Sequence, residues 1–411
     1  MKLSWRSSIL PGAAAVLLAV PVCHAGWDFT APADPSRNWS ASIAGYAEYD
    51  DNFNSTENNR QSGYRLGSDL TLRVKAIGER SLVSGQYDYT TAYPNYFHMG
   101  GLAENHMLSA SVNYSVTPRL LLSLNESFTE STEPSVVQTV NKVPVTLAAA
   151  GSYLYDAVSG SAVYSLTRRW NLSFAGGWDI WRYEETAYAT NSDHQDYSMT
   201  LSALYSLNPV TVIGVNYQYA ATAYTNPGPD GSLNGYSNTG YLSLTRQFDP
   251  KLSVAVNGGY TLHESGNGST STSPSAYGAV AYNYAQMSSI SLIVAEYLST
   301  ASVGITRSFS TQQGTSFSLQ ANHQFTPRFH TMFNGSYVYS TFKSPVVGAN
   351  EVLTLSPTDQ SIQLHWNIGY DFRPWASVGF DYTYTRLLSS NTLLIQPYSR
   401  DVAGIRLTFN Y

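Results

Sequence analysis

Apolar and polar residues alternate with a period of two along most of the chain. Between 65 and 76, Leu66, Leu70, Leu72, Val74 and Ala76 share one face, while Arg65, Gly67, Asp69, Thr71, Arg73 and Lys75 share the other. A helix stripe repeats every three or four residues, so this run fits a strand and not a helix. The pattern returns at Leu108, Ala110, Val112, Tyr114 and Val116, and again at Leu252, Val254, Val256, Gly258, Tyr260 and Leu262. Its clearest instance is Ile362, Leu364, Trp366, Ile368, Tyr370 and Phe372, opposed by Gln363, His365, Asn367, Gly369 and Asp371. These segments run about 10–14 residues, against roughly five or six in soluble sheets. A tilted strand needs about 9–11 residues to cross a bilayer. One face in lipid and the other in a polar interior accounts for both the length and the alternation.

Short and long connections also alternate. Tight turns are predicted at 77–80, 117–119, 167–169, 208–210, 248–251, 286–289, 326–328 and 372–375, with those at 117, 326 and 372 read as variants of one arginine-bearing template. Longer polar connections fall at 51–61, 93–105, 130–150, 185–195, 223–235, 264–274, 300–314, 342–358 and 389–398. The expected fold is all-β: an antiparallel up-and-down transmembrane barrel of about 18 strands, or 16 if the stretch 290–314 is read differently. Both chain ends then lie on the short-turn side, which is periplasmic in barrels of this kind. The last strand alternates Ala403, Ile405, Leu407, Phe409 and Tyr411 and stops on an aromatic, resembling the terminal signal read by the barrel assembly machinery.

The amino terminus places the chain in an export pathway. Lys2 and Arg6 precede an apolar stretch from Ile9 to Val22, and Cys23-His24-Ala25 offers small residues for cleavage. Residues 1–25 read as a signal peptide, 26–37 as a short periplasmic lead and 38–411 as the barrel. No later run is long and apolar enough for a membrane helix. Removing the signal peptide takes the net charge from -6 to -8 and leaves no cysteine. With 22 Lys plus Arg and no basic cluster, nucleic-acid binding is not expected. Only 12% of residues are charged while 13% are aromatic, which excludes a disordered chain.

Tyr and Trp near strand ends suit two interfacial girdles: Tyr114, Trp170, Tyr205, Tyr370 and Trp375 at the short turns, and Tyr49, Tyr87, Tyr89, Tyr219, Tyr260, Tyr339, Tyr382 and Tyr384 at the other rim. Tyr46, Trp181 and Tyr183 have inward parity instead. Parity assigns Glu48, Arg65, Asp69, Arg73, Lys75, Gln86, Asp88, Asp179, Asn216, Asn367, Asp371 and Asp381 to the inner wall, where they would line a pore. Arg65 and Arg73 are expected to pair with Asp69 or Asp88. No metal-binding or nucleophile motif is present, and His365 and Asp371, six residues apart on one strand, stand roughly 20 Å from each other. The sequence therefore assigns no catalytic residue, metal or cofactor. The lead is also too short for a plug.

The stretch Gly45-Tyr46-Ala47-Glu48-Tyr49-Asp50-Asp51-Asn52-Phe53, the strand Tyr64–Val74 and the turns Thr117-Pro118-Arg119-Leu120 and Thr326-Pro327-Arg328-Phe329 resemble the beta-barrel porin 2 (BBP2-type) family of Gram-negative bacteria. The resemblance implies an outer-membrane location and passage of solutes or polysaccharide. The expected function is passive diffusion of small hydrophilic solutes. The alternatives are a conduit or accessory for exopolysaccharide export with periplasmic partners, or a non-conducting structural or adhesive barrel. Expected partners are outer-membrane lipid and lipopolysaccharide, the assembly machinery through Phe409 and Tyr411, and a small solute or saccharide. The connections 130–150 and 342–358 are partly apolar and are candidates to fold inward and narrow the pore.

Overall fold

A computed structural model describes residues 37–411 apart from 54, 56, 58, 95–101, 133–136, 141–142, 147–151, 185–188, 191, 228–232, 267, 301–308, 346–357 and 391–396. The signal peptide and nearly all of the lead lie outside the described residues. In chain order the strands are β1 Trp39–Asp50, β2 Gly63–Ile77, β3 Ser81–Pro94, β4 Ala103–Thr117 and β5 Leu120–Ser131. A short hairpin follows, β6 Val137–Val140 and β7 Val143–Thr146. Next come β8 Tyr153–Ser165, β9 Trp170–Tyr183, β10 His194–Asn208, β11 Thr211–Tyr224, β12 Gly235–Gln247 and β13 Leu252–Ser265. The last are β14 Thr270–Ala285, β15 Ser288–Thr300, β16 Phe309–Thr326, β17 Phe329–Pro345, β18 Thr358–Arg373, β19 Ala376–Ser389 and β20 Tyr398–Asn410.

All but β6 and β7 join one 18-stranded antiparallel sheet, and β1 pairs with both β2 and β20, which closes it into a cylinder. Closure leaves no sheet edge, so every backbone group in the wall has a partner, as a bilayer interior demands. The residues of one parity are exposed and apolar: Leu66, Leu72 and Val74 on β2, Leu201 on β10, Val215 on β11, Leu242 and Leu244 on β12, Ile405, Leu407 and Phe409 on β20. Exposed large apolar side chains over a whole cylinder are stable only against lipid. The chain is thus a transmembrane barrel of the outer membrane.

The girdles predicted from strand ends form on this face. Trp170 packs on Tyr205 with ring centroids 4.9 Å apart, and Tyr49 on Tyr64 at 5.2 Å. On the long-loop side, outward tyrosines donate to acids of the next strand: Tyr89 to Glu104 at 2.8 Å, Tyr236 to Glu264 at 2.5 Å and Tyr382 to Asp401 at 2.5 Å. An apolar ring with a satisfied hydroxyl is what the membrane interface favours.

All eight predicted tight turns are present. Their template divides differently, however. Thr117, Thr167 and Thr326 each accept two backbone N–H groups, those of Arg119 and Leu120, Arg169 and Trp170, and Arg328 and Phe329. The turn at 372–375 has no threonine to do this, and its likeness to those at 117 and 326 lies in a register shift at Asp371/Arg373, matching those at Ser115/Thr117 and Gln324/Thr326. The stretch 290–314 resolves as β15, a connection and the start of β16, which gives 18 strands. The predicted loop 264–274 shrinks to 266–269, because Thr270 to Ser275 already pair with β13. Ser265 N–H bonds to Ser269 O, and Gly268 takes a φ of 80°, a conformation open to glycine without strain. A polar Ser/Thr run reads as loop, yet Thr suits a strand that stands clear of the bilayer.

Candidate channel interior

The polar parity faces inward, and the structure divides it into two arcs. From β18 through β20 and β1 to β3 the inner wall is charged. All of the predicted inward residues except Asp179 and Asn216 lie here, and in the described contacts all but Lys75 and Asp371 meet another of them or Arg406. Arg65 Nε donates to Glu48 at 2.8 Å, with Nη2 at 2.6 Å from the same carboxylate. Arg406 on β20 pairs with Asp69 on β2, reaching across β1. Its guanidinium also lies over the Tyr46 ring, 5.1 Å from the centroid. That ring covers Gly67, where a Cβ would overlap it, so this approach requires glycine. Near the long-loop end, Arg400 contacts Asp50 at 2.5 Å.

The network continues to either side. Asp381 accepts from Asn367 at 2.7 Å and lies 3.0 Å from His365. Asp88 accepts from Thr71 and Gln86, both at 2.6 Å, and Arg73 donates to Gln86 at 2.9 Å. Asp371 faces His330 at 3.7 Å, and Lys75 is exposed. Besides the expected pairing of Arg65 or Arg73 with Asp69 or Asp88, the wall joins Arg65 to Glu48, Arg73 to Gln86 and Asp69 to Arg406. Sequence reading missed Arg406 as a partner because its contact with Asp69 exists only once β20 closes on β1. Its inward parity, shared with Arg400 and Thr408, was the available signal.

The second arc runs from β4 to β17 and is almost free of charge. Asp179 and Asp196, directly paired across β9 and β10, are the inward carboxylates among its described residues. Elsewhere amides and hydroxyls bond to each other: Asn216 to Ser243 at 2.9 Å, Thr239 to Thr261 at 2.9 Å, Gln312 to Ser340 at 2.7 Å. Near the long-loop end of this arc stands a row of inward rings. Trp181 lies 4.5 Å from Tyr155 and 5.5 Å from Tyr153, and it stacks on His194 at 6.0 Å, which stacks on Tyr224 at 5.0 Å. Trp181 and Tyr183 have the inward parity expected, whereas Tyr153, Tyr155 and Tyr224 were not selected. The row is buried. Ala189 packs on Trp181 and Tyr183, and Leu233 on Tyr224. Asp193 accepts from Tyr183 N–H at 2.9 Å and Asn234 from Tyr224 N–H at 2.8 Å. These rings anchor the two long connections that follow β9 and β11.

The β6–β7 hairpin arises between β5 and β8, yet β7 lies beside β16 and β17. Those strands stand half the circumference away. The inward residues at their long-loop ends are fully covered: Val338, Ser340, Phe342, Gln312 and Ser316 are at most 1% exposed. The described hairpin of the connection 130–150 thus reaches across the mouth, the inward folding that its apolar content suggests. Most of 342–358 falls outside the described residues. Among those described, no three His, Cys, Asp or Glu side chains converge as a metal site.

No family model and no curated relative matches the sequence. Solved structures similar to it include OpdK of Pseudomonas aeruginosa with vanillate, at 10% identity and a TM-score of 0.47, covering 91% of this chain and 99% of that one. The siderophore receptor PirA of the same organism is 9% identical with a TM-score of 0.43, covering 92% and 81%. A bacterial polysaccharide outer membrane secretin is 10% identical with a TM-score of 0.37, covering 91% and 98%. With so few identical residues, no residue role passes from these proteins to this chain.

Proposed function

We propose that the chain is a passive outer-membrane channel for small hydrophilic solutes, and that neutral, hydroxyl-rich molecules are its preferred cargo. The observation that carries this is the division of the inner wall. The charged arc is largely engaged in its own ion pairs and hydrogen bonds, so its net field is small. The broad arc from β4 to β17 is polar but nearly uncharged, so a neutral solute beside it meets no strong fixed field, which a charged one would need to compensate its lost hydration. The twelve inward residues predicted from parity line the pore in this account, with Glu48, Arg65, Asp69 and Asp381 fixing the wall more than touching cargo.

The hairpin across the mouth supports a solute-sized passage and weighs against a conduit for an extended polysaccharide. Membership of the BBP2-type porins is part of the same proposal, and it rests on the motifs around Gly45–Phe53 and the threonine turns. Liposome swelling tests the reading. Neutral mono- and disaccharides should enter protein-containing vesicles faster than gluconate or glucosamine of similar size. Equal or faster entry of a charged sugar would overturn the preference, and no swelling with any of them would overturn the channel.

A further inference from the structure

The lipid-facing side of β4, β5, β8 and β9 carries a groove of about 500 Å³, lined by Val112, Tyr114, Leu122, Leu124, Ala162 and Phe174. Cross-strand pairing sets Val112, Leu124, Gly160 and Gly176 in one row and Tyr114, Leu122, Ala162 and Phe174 in the next. Most of the outward face bears large apolar side chains. Here three small residues meet, Gly160, Ala162 and Gly176, with Leu122 and Leu124 forming one wall and Phe174 the other. A Cβ at Gly160 would find its nearest atom at 3.6 Å, an ordinary contact. Side chains would fit at this position, so the missing ones leave room.

The groove points to the short-turn rim, where three cations stand. Leu122 is three residues from Arg119, roughly 10 Å along a strand. Arg168 and Arg169 sit in the neighbouring turn between β8 and β9, and all three arginines are exposed. The described ion pairs of arginine involve Arg60, Arg65, Arg182, Arg400 and Arg406, and none of these three. Arg169 Nη1 donates to the Tyr205 hydroxyl at 3.2 Å, and Tyr205 packs on Trp170. That contact holds the guanidinium against the aromatic girdle, on the lipid side of the rim. The whole rim is basic. Arg80, Lys251, Arg328 and Arg373 occupy other turns, and the acids among these turns are Glu79 and Asp249. Asp249 is already engaged, accepting from the N–H groups of Lys251 and Leu252.

We propose that the groove and its three arginines form a binding site for one anionic phospholipid of the periplasmic leaflet. The acyl chain lies in the groove and the phosphate on Arg119, Arg168 and Arg169. Guanidinium forks match phosphate oxygens, and three cations without an acid partner leave charge for an anion to neutralise. An apolar groove ending at that charge fits a molecule with both a chain and a phosphate. A soluble phosphate would leave the groove empty.

Native mass spectrometry of the full-length barrel in detergent, with phosphatidylglycerol or phosphatidylcholine added, tests this. One phosphatidylglycerol should be retained in preference to phosphatidylcholine. Replacing Arg119, Arg168 and Arg169 by Gln should weaken phosphatidylglycerol by about five-fold per cation and abolish the preference. The double substitution Gly160→Leu and Ala162→Leu fills the groove with side chains suited to lipid, and should weaken both lipids alike. Heat-modifiable mobility and channel conductance should stay unchanged in both variants. Equal phosphatidylglycerol retention by the unaltered protein and both variants would overturn the site. So would displacement of phosphatidylglycerol by inorganic phosphate at matching concentration, which would assign the arginines to a soluble anion.

Discussion

The two arcs of the inner wall are built from the same alternating strands, yet they do different work. Around the closure, Arg406, Asp69, Glu48, Arg65 and Tyr46 tie β20, β1 and β2 together, and the Arg406–Asp69 pair skips a strand. On the opposite side, Asn216, Thr239 and Gln312 bond to nearby hydroxyls, and their environment carries little charge. The difference teaches that inward polarity alone does not define a pore lining. Buried ion pairs hold the wall in shape around the closure, whereas on the opposite arc buried hydroxyl and amide pairs hold it without charge.

The sharpest way to break this comparison is at Arg406. Arg406→Ala leaves the largely buried Asp69 without its cation and removes that cation from beside Glu48 and Asp381, and losing one partner of a buried pair costs about 3–5 kcal/mol. Denaturant unfolding in detergent should report that loss, while Asn216→Ala on the other arc should cost only about 1 kcal/mol. Equal effects would erase the distinction between the arcs. Next in size is Gly67→Ala, which drives a methyl into the Tyr46 ring and should cost roughly 1–3 kcal/mol by overpacking, measured the same way. Gly160→Ala, on the lipid face with space around it, should be near neutral by comparison.

A smaller effect sharpens the picture of the neutral arc. Asp179 and Asp196 face each other across β9 and β10. Replacing both with Asn should shift the permeability ratio toward anions. A charge about 8 Å from a permeating ion in water contributes roughly 0.5 kcal/mol, or about two-fold per charge. Reversal potentials in a salt gradient measure it. No shift would place the ion path away from these residues.

Much of this was legible in the sequence, for a physical reason. Lipid on one side and water on the other impose a period of two on every strand, so the barrel, its eight tight turns and the inward parity of residues from Glu48 to Asp381 follow from alternation. The partners within the wall were not legible. Asp69 finds Arg406 because the guanidinium crosses β1 over the Tyr46 ring, and that depends on register between the two ends of the chain. The inward rings at Tyr153, Tyr155 and Tyr224 were hidden too, because a tyrosine near a strand end looks the same whether it meets lipid or a folded loop. The polar run 269–275 misled for the opposite reason: with no apolar face to mark it, a strand beyond the bilayer resembles a loop.

The central claim is an open passage narrowed by the β6–β7 hairpin, and single-channel recording in planar bilayers tests it most directly. The purified protein should give discrete conductance steps, and replacing residues 134–149 with a short Gly-Ser link should enlarge each step. Silence from both proteins, or identical steps with and without the hairpin, would contradict the account.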